Sequence, residues 1–413
     1  MSARTENTYV ARQTIVGTNR NTMGYELLFR DGSENAYPNI PLDEATSRLI
    51  VESHLDLGID KLVGSHKAFI NFTEKSLIEK FPLVFDKDKI VVEVLESVNP
   101  SEEIVDACRE LVDEGYTLAL DDHDFSDKWD HVPELIDIIK IDIAHIKRDE
   151  LGERLKNLNF TDKTLIAERV ETHEQFAYCK EMGFDYFQGY FFSKPEVLQK
   201  KKIPGNKMMT MELLGESAKD PMQFDSISEI ISHDVGLSVK LLKFINSAAF
   251  GVRGITSLNH ALTYLGEAEV KKFISLVAMA AIGDDKPPEL IALAAVRARF
   301  CELLAQEIKH KDLSGSAFLC GLFSLIEAVM NDTLESIFLK LPIDGSIKQA
   351  LRGVEGSEAG DLLKLVLAYE QGDWLLVSEL SNSLDIDEGA ISNSYREAIC
   401  WARSFETAMK QSS

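Results

Sequence analysis

Six short apolar runs in the first 200 residues each carry a polar or charged residue at or near their C-terminal end. They are AFINF (68–72), KIVVEVLE (89–96), YTLALDD (116–122), IIKID (138–142), TLIAER (164–169) and YFQGYFF (186–192). Amphipathic stretches such as SEEIVDACRELVDEG (101–115) and HEQFAYCKEMG (173–183) lie between them. Runs that are apolar throughout, rather than alternating, belong to strands covered on both faces, and helix-separated strands of that kind run parallel. Six or more such units in this length favour a TIM-like (β/α) barrel over an open sheet. Neither a GxGxxG nor a P-loop spacing occurs at a strand-to-helix turn, which argues against a nucleotide-cofactor sheet.

A barrel of parallel strands brings the strand ends together on one face, where barrel active sites are built. The residues predicted there are Glu26 and Arg30 in MGYELLFR, Asn71, Glu93 and Glu96, Asp121 and Asp122, Lys140 and Asp142, Glu168 and Glu171, and Gln188. Carboxylates crowded into one region repel and raise each other's pKa. A divalent cation relieves that conflict, and an all-oxygen set with one asparagine suits Mg²⁺, Mn²⁺ or Ca²⁺ rather than zinc. Adjacent aspartates can serve two ions ~3.5–4 Å apart, one carboxylate bridging and one terminal, as in phosphodiester hydrolysis. A nearby lysine would orient the attacking water or offset phosphate charge. Taken singly, each residue reads more simply as a strand end or a helix cap, Asp142 for example as a cap for the next helix. The repeated placement at strand ends is what points to a site.

From about residue 204 the pattern becomes helical. Ile227, Ile230, Ile231, Leu237, Leu241, Leu242 and Ile245 recur at helical intervals, and similar patterns fill 267–282, 287–310, 314–331 and 359–410. The basic, Pro- and Gly-containing KKKIPGNK (200–207) is the natural boundary. The expected organisation is therefore α/β plus all-α: a barrel over 1–203, then an all-helical domain over 204–413.

The net charge of −24 repels phosphate backbones and anionic headgroups, so direct nucleic-acid or membrane binding is not expected. An anionic small molecule stays admissible where a metal or arginines neutralise it. No apolar run approaches the ~20 residues of a membrane span, and MSARTENTYVARQTIV lacks the apolar core of an export signal. Cys108, Cys179, Cys301, Cys320 and Cys400 lie far apart without a CxxC pair. A cytoplasmic location is the expectation.

The motifs of the first half resemble, in order, those of the EAL domain, the barrel phosphodiesterase that linearises cyclic di-GMP. ARQTIV (11–16) corresponds to ARQPI, GYELLFR (24–30) to GxEALxR, and FINF (69–72) to the strand ending in Asn. EVLE (93–96) stands for ExTE, followed by LDD (120–122), KID (140–142), AERVET (167–172) for AEGVET and FQGYFFSKP (187–195) for QGYxxSKP. The resemblance implies Mg²⁺ or Mn²⁺ as cofactor, with two ions in the full site. Glu26, Asn71, Glu93 and Asp121 would ligate one, and Asp121 would bridge to a second held by Asp122 and Glu168. Lys140 would contact the nucleophilic water, Glu171 and Gln188 would complete the surroundings, and Arg30 and Gln188 would meet the dinucleotide. The implied catalytic group is Glu26, Lys140, Glu168 and Glu171.

The departures surround this set. His123, Asp124, Phe125 and Ser126 replace a Phe-Gly-Thr-Gly loop, which in the family links metal binding to dimer contacts. Leu95 replaces the usual Thr and Arg169 the usual Gly, and the segment between Glu26 and Asn71 is short, without an Arg-Trp-x-His-Pro stretch.

SHDVGLSVKLLKFINSAAFG (232–251) and ITSLNHALTYLGEAEVKKFISLVAMA (255–280) resemble the HDOD domain, a helical relative of HD phosphohydrolases. His233-Asp234 looks like a metal dyad, but His260 and His310, the later histidines, complete no HxxH or second HD pair. Asp234 reads more simply as a helix cap, and the half as a protein-interaction module. Two functions stay open. The barrel either binds metal and cyclic di-GMP and passes a signal to a protein engaged by the HDOD half, or it hydrolyses the dinucleotide to its linear form. The implied partners are cyclic di-GMP, a signalling protein and a second copy of the chain in a homodimer.

Overall fold

In the computed structural model of the 413-residue chain, the described residues are 8–31, 59–158, 162–194, 205–218, 223–232, 235–246, 254–308, 313–341 and 343–410. They divide into two compact units, one of Met1–Phe192 with Tyr369–Ser378, the other of Ser193–Ala368 with Glu379–Ser413. The barrel expected for the N-terminal region and the helices expected for the C-terminal region are both present.

The first unit is a closed barrel of eight strands in sequence order. They are β1 (Thr8–Gly17), β2 (Thr22–Asp31), β3 (Lys67–Phe72), β4 (Ile90–Val94), β5 (Leu118–Leu120), β6 (Ile138–Asp142), β7 (Thr164–Glu168) and β8 (Tyr186–Gln188). All residues of β4 and β5 are buried, as strands covered on both faces require.

One expectation is corrected. The barrel is not wholly parallel, because β1 runs antiparallel to both β2 and β8. The link from β1 to β2 is a tight turn in which Gly17 N–H donates to Asn21 O at 2.9 Å and Arg20 N–H to Gly17 O at 2.8 Å. So short a link can only reverse the chain, since a parallel return needs a crossover of a dozen or more residues. The GTNRN punctuation between two apolar runs is the hairpin signal.

Helices cover the barrel. Ser101 caps α1 (Glu102–Glu114), its hydroxyl accepting from Ile104 N–H at 3.4 Å, and Gly115 ends it in the left-handed conformation. Its apolar stripe, Ile104, Ala107, Cys108 and Leu111, is buried. Thr172 and Gln175 form a reciprocal capping box at the start of α2 (His173–Glu181). Inside the barrel, Ile15, Phe69, Val91, Ala119, Ile138 and Ile166 make one apolar layer, with Met23 and Tyr186 packed against it. This layer is the floor of the site described below.

The second unit is helical and includes α3 (Val235–Ile245), α4 (Glu267–Ile282), α5 (Pro288–Glu307), α6 (Ser314–Phe323) and α7 (Glu388–Lys410). A Cβ on Gly321 of α6 would lie 2.4 Å from Arg297 O of α5, so only glycine permits that close crossing. A charge network running from a buried pair to the surface ties three helices. Lys272 of α4 pairs with Glu302 of α5, and Arg299 bridges Glu302 at 2.8 Å and Glu397 of α7 at 2.5 Å. Asn246 fixes the end of α3, donating to Leu242 O and Ile255 O at 2.8 and 2.7 Å and accepting from Ile255 N–H at 2.8 Å. That is the local role of the asparagine in FINSAAFG. Among the described residues no helix is long and apolar enough to cross a membrane.

Candidate metal centre

Side chains two residues apart on a strand share a face. Two positions beyond the apolar layer, Phe69 leads to Asn71, Val91 to Glu93, Ala119 to Asp121, Ile138 to Lys140 and Ile166 to Glu168. Tyr186 likewise leads to Gln188, and Gly24 to Glu26. On β1, which runs the other way, the step back from Ile15 gives Gln13. The next layer of the barrel is thus one polar side chain from each strand or its immediate end. Gln13 is the member that sequence reasoning missed, because its place follows only once β1 is known to run antiparallel, opposite Glu26.

Lys140 is at the centre of this layer and has no solvent exposure. Its Nζ lies 2.7 Å from Glu93 Oε1, 2.7 Å from Asp121 Oδ1, 2.9 Å from Glu168 Oε1 and 3.3 Å from Glu26 Oε2. Glu26 also accepts from Asn71 Nδ2 at 3.1 Å and from Gln188 Nε2 at 2.5 Å, and the same Gln188 amide donates to Gln13 Oε1 at 2.9 Å. The Asp121 N–H donates to Val94 O at 3.0 Å and the His123 N–H to Lys140 O at 2.9 Å, continuing the ladders beyond β5.

One ammonium cannot balance four carboxylates. Burial raises the Glu93 carboxyl well above its usual range, with Lys140 opposing it and Glu26 and Asp121 adding to it. Burial likewise carries Glu168 to about 8 and Asp121 to about 6, each opposed by Lys140. Glu26 alone of the four is lowered, because Lys140 and the hydrogen bonds from Gln188, Lys140 and Asn71 outweigh its burial. Several oxygens in the layer, Asn71 Oδ1, Glu93 Oε2, Glu168 Oε2 and Gln188 Oε1, are buried without a hydrogen-bond partner. Buried acceptors left unpaired are costly, and a cation is what such a group lacks.

Carboxylate oxygens of Glu26, Glu93 and Asp121 approach within 4.8 Å of one another, close enough to share an ion. Asn71, whose Nδ2 donates to Glu26, adds an unpaired amide oxygen, so the donor set is all oxygen and fits a hard divalent cation. A second group of three carboxylates, Glu96, Asp121 and Asp122, meets the same test. This outer group differs from the expected one: Glu168 faces Lys140, and Glu96 takes its place beside the paired aspartates. Asp121 belongs to both groups. A cavity of about 20 Å³ adjoins the outer one, lined by Glu96, Asp121, Asp122, His123, Lys128 and Trp129 among others.

The remaining sites fall as follows. Asp122 is exposed at a φ of 42°, turned away from the buried layer. Glu171 is exposed on the turn before α2, its N–H donating to Gln175 Oε1 at 2.8 Å, so the structure does not bring it into the cluster. Arg30 lies on β2 opposite Tyr9, and its side chain is outside the described residues. The loop His123–Ser126 is ordered by its own contacts. Phe125 N–H donates to His123 Nδ1 at 3.1 Å, and Ser126 N–H to Asp124 Oδ1 at 3.0 Å. In the helical unit His260 is exposed, while His233, Asp234 and His310 lie outside the described residues.

The protonated state of the layer has a measurable consequence. With Asp121 near 6 and Glu168 near 8, a divalent ion entering the metal-free protein must displace protons. Mn²⁺ affinity is expected to rise between pH 6 and pH 8, with proton release seen by calorimetry in buffers of different ionisation enthalpy. A pH-independent affinity with no proton release would contradict this account.

Comparison with known proteins identifies relatives of both halves of the chain. Residues 45–195 match the EAL domain family and residues 203–341 the HDOD domain family. The cyclic di-GMP phosphodiesterase CdgJ of Vibrio cholerae is 38% identical over 400 residues, covering 96% of this chain and 92% of CdgJ. The uncharacterized protein YuxH of Bacillus subtilis is 33% identical over 409 residues, 97% of this chain and 99% of YuxH. Among solved structures, Klebsiella pneumoniae BlrP1 in its calcium and cyclic di-GMP complex is 21% identical, with a TM-score of 0.39 over 46% of this chain and 56% of that one. EAL domains use divalent metal ions. An EAL barrel and an HDOD domain in one chain, matched over almost its whole length by CdgJ, place the protein in the EAL–HDOD family.

Proposed function

We propose that the barrel binds a divalent ion, Mg²⁺ or Mn²⁺, and with it cyclic di-GMP, and that the helical half passes the bound state to a partner protein. The observation that carries this reading is the polar layer itself, four buried carboxylates and an asparagine with unpaired oxygens around one lysine. Glu26, Asn71, Glu93 and Asp121 would hold the ion. A bound divalent ion supplies an activated water and takes up charge on phosphoryl oxygens. Lys140 holds the carboxylates in register at the centre of the layer and carries the charge that faces an anionic phosphodiester. Gln188 and Gln13 fix the orientation of Glu26 by their chain of amide hydrogen bonds. Asp122 and Glu96 provide the outer carboxylates, and Arg30 is the residue assigned to the dinucleotide.

Binding without rapid turnover is favoured by one specific observation: the rewritten loop after Asp122 is held in its own turn by His123 and Asp124. The second reading, hydrolysis to the linear dinucleotide, is supported by the intact inner set and by the activity in the name of CdgJ. Catalysis falls about 100-fold for a misplacement of ~1 Å, so a full set of side chains does not by itself fix the rate. One sample decides between them, Mn²⁺-loaded protein titrated calorimetrically with cyclic di-GMP and then incubated and chromatographed. The expected result is saturable binding with the dinucleotide recovered intact. Rapid linearisation would establish the second reading, and absence of binding would overturn the first.

A further inference from the structure

A cleft of about 250 Å³ opens within the helical unit. Its first wall is the helix Phe224–Ser232, on which Ser228 and Ile231, three residues apart, share a face. Its second wall is α3, where Ser238, Leu241 and Leu242 share a face at intervals of three and four. Ser238 Oγ joins the two walls by donating to Ile231 O at 2.9 Å. Ser257 and Asn259, at the start of the helix Leu258–Leu265, close the third side. The Asn246 hydrogen bonds to Ile255 bring that segment against the end of α3. Ser257 Oγ then caps the helix by accepting from His260 N–H at 3.1 Å.

One group in this wall is not accounted for by the fold. A serine within a helix commonly returns its hydroxyl to the carbonyl one turn back. Ser228 does not: its Oγ is buried without a hydrogen-bond partner, on a residue that lines the cleft. A buried hydroxyl left unpaired is costly, and pockets that take small molecules combine an apolar floor with a few such polar groups. The floor here is aliphatic, with Ile231 and Leu241 buried. The hydroxyls of Ser228 and Ser238 and the amide of Asn259 offer hydrogen bonds without charge. Among the described residues no charged side chain lines the cleft, and the net charge of −24 disfavours an anion.

We propose that the cleft binds an uncharged amphiphile, its apolar body on Ile231, Leu241 and Leu242 and its alcohol or amide group on Ser228. The site is independent of the metal-binding reading and gives the helical unit a small-molecule ligand of its own. The test uses the full chain with the fluorescent probe N-phenyl-1-naphthylamine, displaced by octanamide or by octanoate at neutral pH. Wild type is expected to bind the probe saturably and to release it to octanamide, with octanoate weaker by about tenfold or more because its charge would be buried unpaired. Leu242→Trp, which fills the cleft, is expected to lose the probe while keeping its helical circular dichroism. Ser228→Ala is the second variant and is expected to fold, because alanine favours the helix. It should weaken octanamide about fivefold, the worth of one hydrogen bond. No saturable probe binding by wild type, or undiminished binding by folded Leu242→Trp, would overturn the proposal. Octanoate equal to octanamide, or octanamide unaffected by Ser228→Ala, would also overturn it.

Discussion

Lys140→Met is expected to cost about 3–5 kcal/mol of stability in the metal-free protein, the penalty for breaking a buried ion pair and leaving its partners uncompensated. The partners here are four, Glu26, Glu93, Asp121 and Glu168, all within 3.3 Å of the ammonium that the substitution removes. Methionine keeps the length of the chain, so lost packing contributes little. The loss should shrink at low pH, since protonated carboxylates no longer repel one another, and be largest at about pH 8 and above, where Glu168, carried to about 8 by burial, ionises. A divalent ion should restore much of it. A ligand at 100 times its Kd stabilises the folded state by about 2.7 kcal/mol, and more for the variant if the ion takes over the charge of the missing lysine. Urea melts in chelator and in Mn²⁺, at pH 6 and pH 8, give four numbers for each protein. A loss in chelator below about 1 kcal/mol at pH 8 would mean that the lysine does not hold the layer together.

Glu26→Ala is expected to remove Mn²⁺ binding to the limit of detection. Loss of an outer partner of a metal ligand costs about 10–100-fold in affinity. Glu26 is both a proposed ligand and the acceptor that orients Asn71, Gln188 and Lys140, so its loss should exceed that range. The fold should survive, because the layer starts with more negative charge than Lys140 balances. Unchanged Mn²⁺ affinity in a folded Glu26→Ala protein would place the ion elsewhere.

The strand-end residues were legible because parallel strands obey a simple rule. A run buried on both faces that ends in a polar group has nowhere to put that group except the barrel mouth, and AFIN, IVVE, LALD, IIK and TLIAE all do so. Asn71, Glu93, Asp121, Lys140 and Glu168 are accordingly brought together in one layer. Gln13 was not legible, because its position depends on the direction of β1, which four turn residues decide. Lys140 was legible as a site residue, but not its place at the centre, in contact with four carboxylates. A lysine two residues before Asp142 reads as a neighbour of the site, and only the closed barrel shows it inside. The outer group has a geometric origin: Glu96 follows the end of β4 by two residues and lies beside Asp121 and Asp122, whereas Glu168, the last residue of β7, contacts Lys140. Arg169 was visible as a departure, but its pairing with Asp142 requires the register of β6 against β7.

On the proposed reading, the layer around Lys140 is a cation site whose working occupant is a divalent metal. The most direct measurement is anomalous scattering at the manganese edge from crystals of the full chain grown with Mn²⁺. The expected result is a peak within about 2–2.5 Å of oxygens from Glu26, Asn71, Glu93 and Asp121, with Lys140 Nζ moved off the carboxylates it now contacts. No peak there, with Lys140 still bridging the four carboxylates at saturating Mn²⁺, would contradict it.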